Sequence, residues 1–218
     1  VVADANALVA LGANHLNLGC INCALSFDAA WGNEDTQQLI DILARYNVKT
    51  TFFVVGEWVD KYPESVKALH EAGHEIMSHS AHHDHYNSLT TDEILADCRK
   101  ANDTIAALTG VTPTLIRCPY GEYDDHVIAA VRSMGMEPIQ WDVDSLDWKD
   151  YDADTIFERV TSKVQNGSIV LFHNAAKHTP EALPSIVENL LSEGYTIVPV
   201  SRLLLEGDYY IDHTGKQC

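Results

Sequence analysis

The chain has 218 residues, 46% apolar and only 21% charged, which suits one α/β domain with a sizeable core and excludes a disordered polymer. The 32 acidic and 14 basic residues give a formal charge of −18, which argues against a nucleic-acid binder and disfavours simple docking on anionic lipid. No apolar run approaches the ~20 residues of a membrane span, and residues 1–19 lack the basic start and long apolar stretch of an intact signal peptide.

Short apolar runs then alternate with amphipathic ones. Strands are expected at NCALSFD (22–28), KTTFFVVG (49–56), HEIMSHS (74–80), TLIRCPY (114–120), EPIQWDV (137–143), GSIVLFH (167–173) and YTIVPV (195–200). Helices are expected at about 36–46, 57–72, 91–109, 124–135, 153–165 and 180–193. Thr90 with Glu93 forms a capping box, and Thr179–Pro180 places a cap before a proline at the first position of the last helix. Seven strands separated by helices imply parallel pairing through right-handed crossovers. A closed or nearly closed barrel and an open doubly wound sheet both fit. No GxGxxG follows the first strand, which removes the main dinucleotide-binding signature.

In parallel α/β folds, catalytic groups sit at the C-terminal strand ends. The ends here carry Asp28; His79 and His83; Arg117 and Tyr120; Asp144, Asp147 and Trp148; and His173. Parallel strands bring all of them to one mouth. His79 and His83, four apart, fit a pair of zinc-type ligands, whereas His74 reads as structural and His70, His82 and His85 as exposed. Pro119 and Gly121 fix a turn able to aim backbone N–H groups at an oxyanion. Trp31 reads either as a sugar-stacking platform or as core, and Cys118 as a small buried residue rather than a nucleophile. The Cys20–Cys23 pair leads into a strand rather than a helix, so a structural or incidental role fits better than redox work. A disulfide involving Cys218 or that pair is an option if the protein is exported.

Five motifs in order, SFDAAWG, HSAHH, RCPYG, DSLDW and LFH, give the chain a resemblance over residues 22–206 to the carbohydrate esterase family 4 polysaccharide deacetylases, the NodB-homology domain, of the bacterial peptidoglycan and sporulation type. Residues 1–21 and 207–218 are then an N-terminal extension and a C-terminal tail. The resemblance implies a distorted (β/α) barrel of about seven parallel strands. It implies metal-dependent, hydrolytic N-deacetylation of N-acetylglucosamine polymers such as peptidoglycan or chitin-like oligomers. It assigns Asp28 as general base, His79 and His83 as ligands of a divalent metal (zinc first, cobalt as an alternative), and Arg117 as the partner of the base. The Tyr120 N–H would contribute to the oxyanion hole, Asp144 would tune His173 as general acid, and Trp148 and Leu171 would line the acetyl pocket. An extracellular or cell-envelope location follows from that substrate class.

The family motif usually carries a second aspartate, a metal ligand, where this chain has Ala29. Three outcomes are open: two histidines with waters hold a weaker metal, another carboxylate such as Asp35 or Glu34 moves in, or the protein is a non-catalytic carbohydrate binder. O-deacetylation of acetylated xylan and amide hydrolysis of a small non-sugar substrate use the same machinery.

Overall fold

The computed structural model describes residues 21–205, 208–213 and 215–218. The expected N-terminal extension, with Cys20, therefore lies outside the described residues except for Ile21.

The first strand, β1 (Ile21–Ala29), is the spine of the sheet, buried along nearly its whole length. Around it lie β2 (Thr51–Val54), β3 (Glu75–Ser78), β4 (Leu115–Ile116), β5 (Glu137–Pro138), β6 (Val143–Asp144) and β7 (Ile169–His173), in the order β5-β4-β3-β2-β1-β7-β6. An eighth strand, β8 (Tyr195–Ile197), pairs with the start of β1 at Ile21–Cys23, while β7 takes Ala24–Asp28 of the same strand. Every named pairing is parallel. The seven strands of the main path form a curled, distorted barrel of the expected kind.

The expected strand EPIQWDV divides in two. Its first residues form β5 at one edge of the sheet and its last lead into β6 at the other, so residues 139–142 cross the gap that an ideal barrel would close with hydrogen bonds. Pro138 supplies no backbone donor, which limits the ladder at that edge.

The helices are α1 (Thr36–Arg45), α2 (Gly56–Lys61), α3 (Pro63–Glu71), α4 (Thr91–Thr109), α5 (Asp125–Ser133), α6 (Ala153–Thr161) and α7 (Thr179–Ser192). The expected helix 57–72 is two helices, because the residue before a proline is pushed out of the helical region. Tyr62 accordingly adopts φ −129° and ψ 53°, and α3 restarts with Pro63 at its first position. The Thr90–Glu93 capping box is formed at α4, which ends on Gly110 in the left-handed conformation (φ 72°).

Alternation along β1 decides what each face does. Phe27 and Ala29 enter the large apolar cluster, where Phe27 stacks between Phe52 and Phe172 at 4.9 and 5.4 Å. Asp28 and Ser26 are both held by the same arginine on the other face. Cys23 and Cys218 are free thiols, so the disulfide option is not realised at either, and Cys23, Cys98 and Cys118 are buried.

Candidate active site

Arg117 lies just past the two-residue β4, and it is fully buried. Its guanidinium donates to Asp28 Oδ1 at 2.8 Å and to Ser26 Oγ at 2.9 Å, and packs 4.2 Å from the Phe53 ring centroid. A buried cation needs a carboxylate partner, and Asp28 is the one at hand. Burial alone would raise the Asp28 pKa, but Arg117, with help from His79 and His173, pulls it below the ordinary carboxylate value.

His79 directly follows β3, with its ring clamped from behind. Its Nδ1 lies 2.7 Å from the Arg117 carbonyl oxygen, which can only accept, so Nδ1 carries the proton. Burial, the largest effect, lowers the His79 pKa, so the ring is neutral and presents a lone pair at Nε2. That nitrogen faces Asp28 Oδ2 at 3.5 Å. Two electron-rich atoms thus meet in a buried corner, an arrangement relieved by a cation between them. His83 completes the group, 4.8 Å from the His79 ring and perpendicular to it, with burial lowering its pKa to about 4. The residues fit a divalent metal held by two neutral imidazoles beside the free edge of Asp28.

The loop carrying both histidines turns on two non-glycine residues with positive φ, Ser80 (73°) and His83 (61°). Asp97, on the inner face of α4, holds it there by accepting from the Ala81 N–H, the His82 ring and the Tyr86 hydroxyl at 2.7–2.8 Å. The sequence signal for this clamp is a carboxylate on a helix face otherwise made of Ile94, Cys98, Ala101 and Ile105. Among the described residues, His82, Asp84 and Asp97 also form a cluster of metal-capable ligand atoms within 4.8 Å of one another. The Lys100 ammonium already occupies His82 Nε2 at 2.8 Å, so that cluster has its own cation.

Across the mouth, His173 ends β7, and burial by itself would lower its pKa. Its hydrogen bond to Asp147 and the charge of that carboxylate, with Asp28 and Asp144 further off, raise it instead. The carboxylate on His173 Nδ1 is therefore Asp147, at 2.8 Å, rather than the expected Asp144. The reason is the left-handed turn at Leu146 (φ 53°), held by Asp144 accepting the Leu146 N–H, which swings Asp147 back beneath the strand end. There Asp147 also accepts from the His173 N–H and the Thr179 hydroxyl. Thr179 thus serves the site rather than capping α7.

These groups border one cavity of about 420 Å³, lined by Asp28, Trp31, His79, His83, Tyr120, Gly121, Trp141, Asp144, Trp148, Leu171 and His173. Tyr120 and Gly121 both have positive φ (59° and 67°), and Trp141, from the segment crossing the barrel gap, packs where a Gly121 side chain would stand. Trp31 is 45% exposed and stacks on His173 at 5.4 Å, so it belongs to the site rather than the core. Cys118 is buried with its pKa pushed up to about 12, which leaves it inert. Asp35 does not join the histidines: its Oδ2 accepts the Ala175 N–H at 2.8 Å, and burial raises its pKa to about 6. Glu34 borders the neighbouring cavity instead.

The fold and the mouth agree with one family, and residues 17–139 match it directly: polysaccharide deacetylase. The chain belongs to the polysaccharide deacetylases. This deacetylase domain is 35% identical over 180 residues to the peptidoglycan-N-acetylmuramic acid deacetylase PdaC of Bacillus subtilis, covering 83% of this chain and 38% of that protein. The chain spans about two fifths of the length of the curated relatives PdaC and the Listeria monocytogenes PgdA. Among solved structures, a peptidoglycan N-acetylglucosamine deacetylase superposes with a TM-score of 0.84 at 30% identity, covering 91% of this chain and 92% of that one. A pseudoenzyme of carbohydrate esterase family 4 from Bacillus anthracis superposes with a TM-score of 0.82 at 33% identity, covering 86% and 66%, and a mutant of it has restored enzymatic activity.

One residue of the deacetylase domain outside all five motifs ties the two halves of the mouth together. Asn174, 2% exposed, accepts the Ala30 N–H at 3.3 Å and donates to the Gly32 carbonyl, while its own N–H bonds Asp28 O at 3.1 Å. Asn174→Ala is expected to cost about 2 kcal/mol of stability, from two lost side-chain bonds in a buried setting. Chemical denaturation of the variant beside the wild type measures it.

Proposed function

We propose that this domain removes N-acetyl groups hydrolytically from N-acetylglucosamine-containing polysaccharide, with peptidoglycan as the first substrate and chitin-like oligomers as accessible analogues. The observation that carries the reading is the pairing, across one cavity, of a buried carboxylate facing a neutral imidazole lone pair with a histidine held protonated by a buried aspartate. A divalent ion, zinc or cobalt, held by His79 and His83 beside Asp28 would polarise the acetyl carbonyl and acidify the attacking water.

The chain's own residues supply the rest. Asp28, kept ionised by Arg117, takes the proton of the attacking water through Oδ2, the oxygen that Arg117 leaves free. The Tyr120 N–H, outside the Gly121–Cys118 and Glu122–Pro119 pairs that close its turn, is available to the developing oxyanion. His173, with Asp147 on Nδ1, gives its Nε2 proton to the departing amine. Trp148 and Leu171 offer the acetyl methyl an apolar wall. A substrate of this size places the protein in the cell envelope or outside the cell. Faster acetate release from N-acetylglucosamine oligomers than from acetylated xylan supports N-deacetylation, and the reverse order assigns the domain to esters.

A second reading, a non-catalytic carbohydrate binder, is favoured by Ala29, which is fully buried in the apolar cluster and gives a metal nothing. Ala29→Asp discriminates. In chelator the new carboxylate is expected to lower stability by about 2 kcal/mol, as a buried polar group without a partner, and Zn²⁺ is expected to restore it. Thermal unfolding with and without Zn²⁺ measures both. If only the variant, and never the wild type, also releases acetate, the binder reading holds.

A further inference from the structure

His85 stands two residues past the HSAHH motif and Glu122 one past RCPYG, and neither has a part in the chemistry above. We infer that His85 is a positioning residue, holding the Tyr120 turn in the conformation that presents its backbone N–H to the oxyanion, an inference that rests on the deacetylase reading above. The His85 imidazole lies flat on the Tyr120 ring, with centroids 4.0 Å apart and planes 10° apart. Its Nδ1 lies 2.9 Å from the Glu122 carboxylate, which accepts from it. One side chain therefore grips the turn twice. It holds the residue whose N–H is used and the residue that closes the turn through the Glu122–Pro119 backbone bond.

The turn needs such a grip. Tyr120 has φ 59° and ψ 5°, a left-handed conformation that a side chain makes costly. Only two backbone bonds, Gly121 to Cys118 and Glu122 to Pro119, both at 3.1 Å, close the turn. Burial adds little, because Tyr120 is 55% exposed. Its ring contacts are with two histidines, His85 flat against it and His83 edge-on at 4.5 Å. His85 is itself fixed: its carbonyl accepts the Ser88 N–H and hydroxyl at 2.9 and 2.7 Å. The next residue, Tyr86, is fully buried with its hydroxyl on Asp97. The Asp97 clamp on the histidine loop is thereby carried across to the oxyanion turn. A displaced N–H loses part of the roughly hundredfold to thousandfold that an oxyanion donor contributes, so His85 acts on the rate and not on substrate binding.

The test compares the wild type with His85→Ala and with His85→Phe, which keeps a flat ring but loses the bond to Glu122. At saturating Zn²⁺, kcat for N-acetylglucosamine oligomers is expected to fall about tenfold in His85→Ala, with KM within about twofold of wild type. His85→Phe is expected to recover most of that loss. In metal-free protein, hydrogen exchange of the Gly121 and Glu122 amides is expected to quicken about tenfold in His85→Ala alone. Unchanged exchange in His85→Ala or a kcat equal to wild type overturns the inference. A loss of kcat that more Zn²⁺ abolishes also overturns it, by assigning His85 to the metal ligands instead. Wild type that releases no acetate at all overturns the deacetylase reading alone, and amide exchange then still decides whether His85 holds the turn.

Discussion

Asp28→Asn is expected to reduce acetate release about a thousandfold, because the site then lacks the base that takes the proton of the attacking water. The same change removes the carboxylate partner of a fully buried guanidinium. Taking away one member of a buried ion pair strands the other, so stability is expected to fall by about 3 kcal/mol, moderated by the Ser26 hydroxyl that Arg117 retains. Steady-state kinetics and denaturant unfolding on the same preparation separate the two effects. A variant as stable as the wild type would show that Arg117 does not depend on Asp28, and a fully active one would remove Asp28 from the chemistry.

Asp147→Asn is expected to act on the other half of the reaction. The Asp147 carboxylate raises the His173 pKa, and a general acid works only while protonated, so activity is lost as pH rises through that pKa. Replacing the carboxylate by a neutral amide lowers the His173 pKa. The basic limb of the kcat/KM profile therefore moves to lower pH, and activity at neutral pH falls about a hundredfold. The acid limb, set by Asp28, is expected to stay in place. The pH profile distinguishes this from mere loosening of the Thr179 and His173 backbone bonds, which would lower the rate without moving either limb.

Much of the mouth was legible because strand ends are short, apolar and followed at once by their polar residues. Asp28, His79, His83, Arg117 and His173 each stand at or just past such an end, and parallel pairing brings them together. What resisted reading depended on geometry that pattern does not encode. Asp144 and Asp147 are both plausible partners for His173 in sequence, and only the left-handed turn at Leu146 decides between them. The split of EPIQWDV into two edge strands follows from sheet closure, a property of the whole barrel rather than of that segment. Asn174 and Asp97 were missed for a different reason. Each is a single polar residue in an apolar or loop context, whose importance comes from backbone groups far away in sequence. Asp35, one of the two candidate replacements for the missing ligand, is drawn instead to the Ala175 N–H.

The most direct test of the account is acetate release from N-acetylglucosamine oligomers by chelator-treated wild-type protein, before and after Zn²⁺ or Co²⁺ is returned. The account predicts no release from the stripped protein and recovery with metal, held by His79 and His83 beside Asp28 without a second aspartate. Release that survives chelation, or none with any metal, would contradict it.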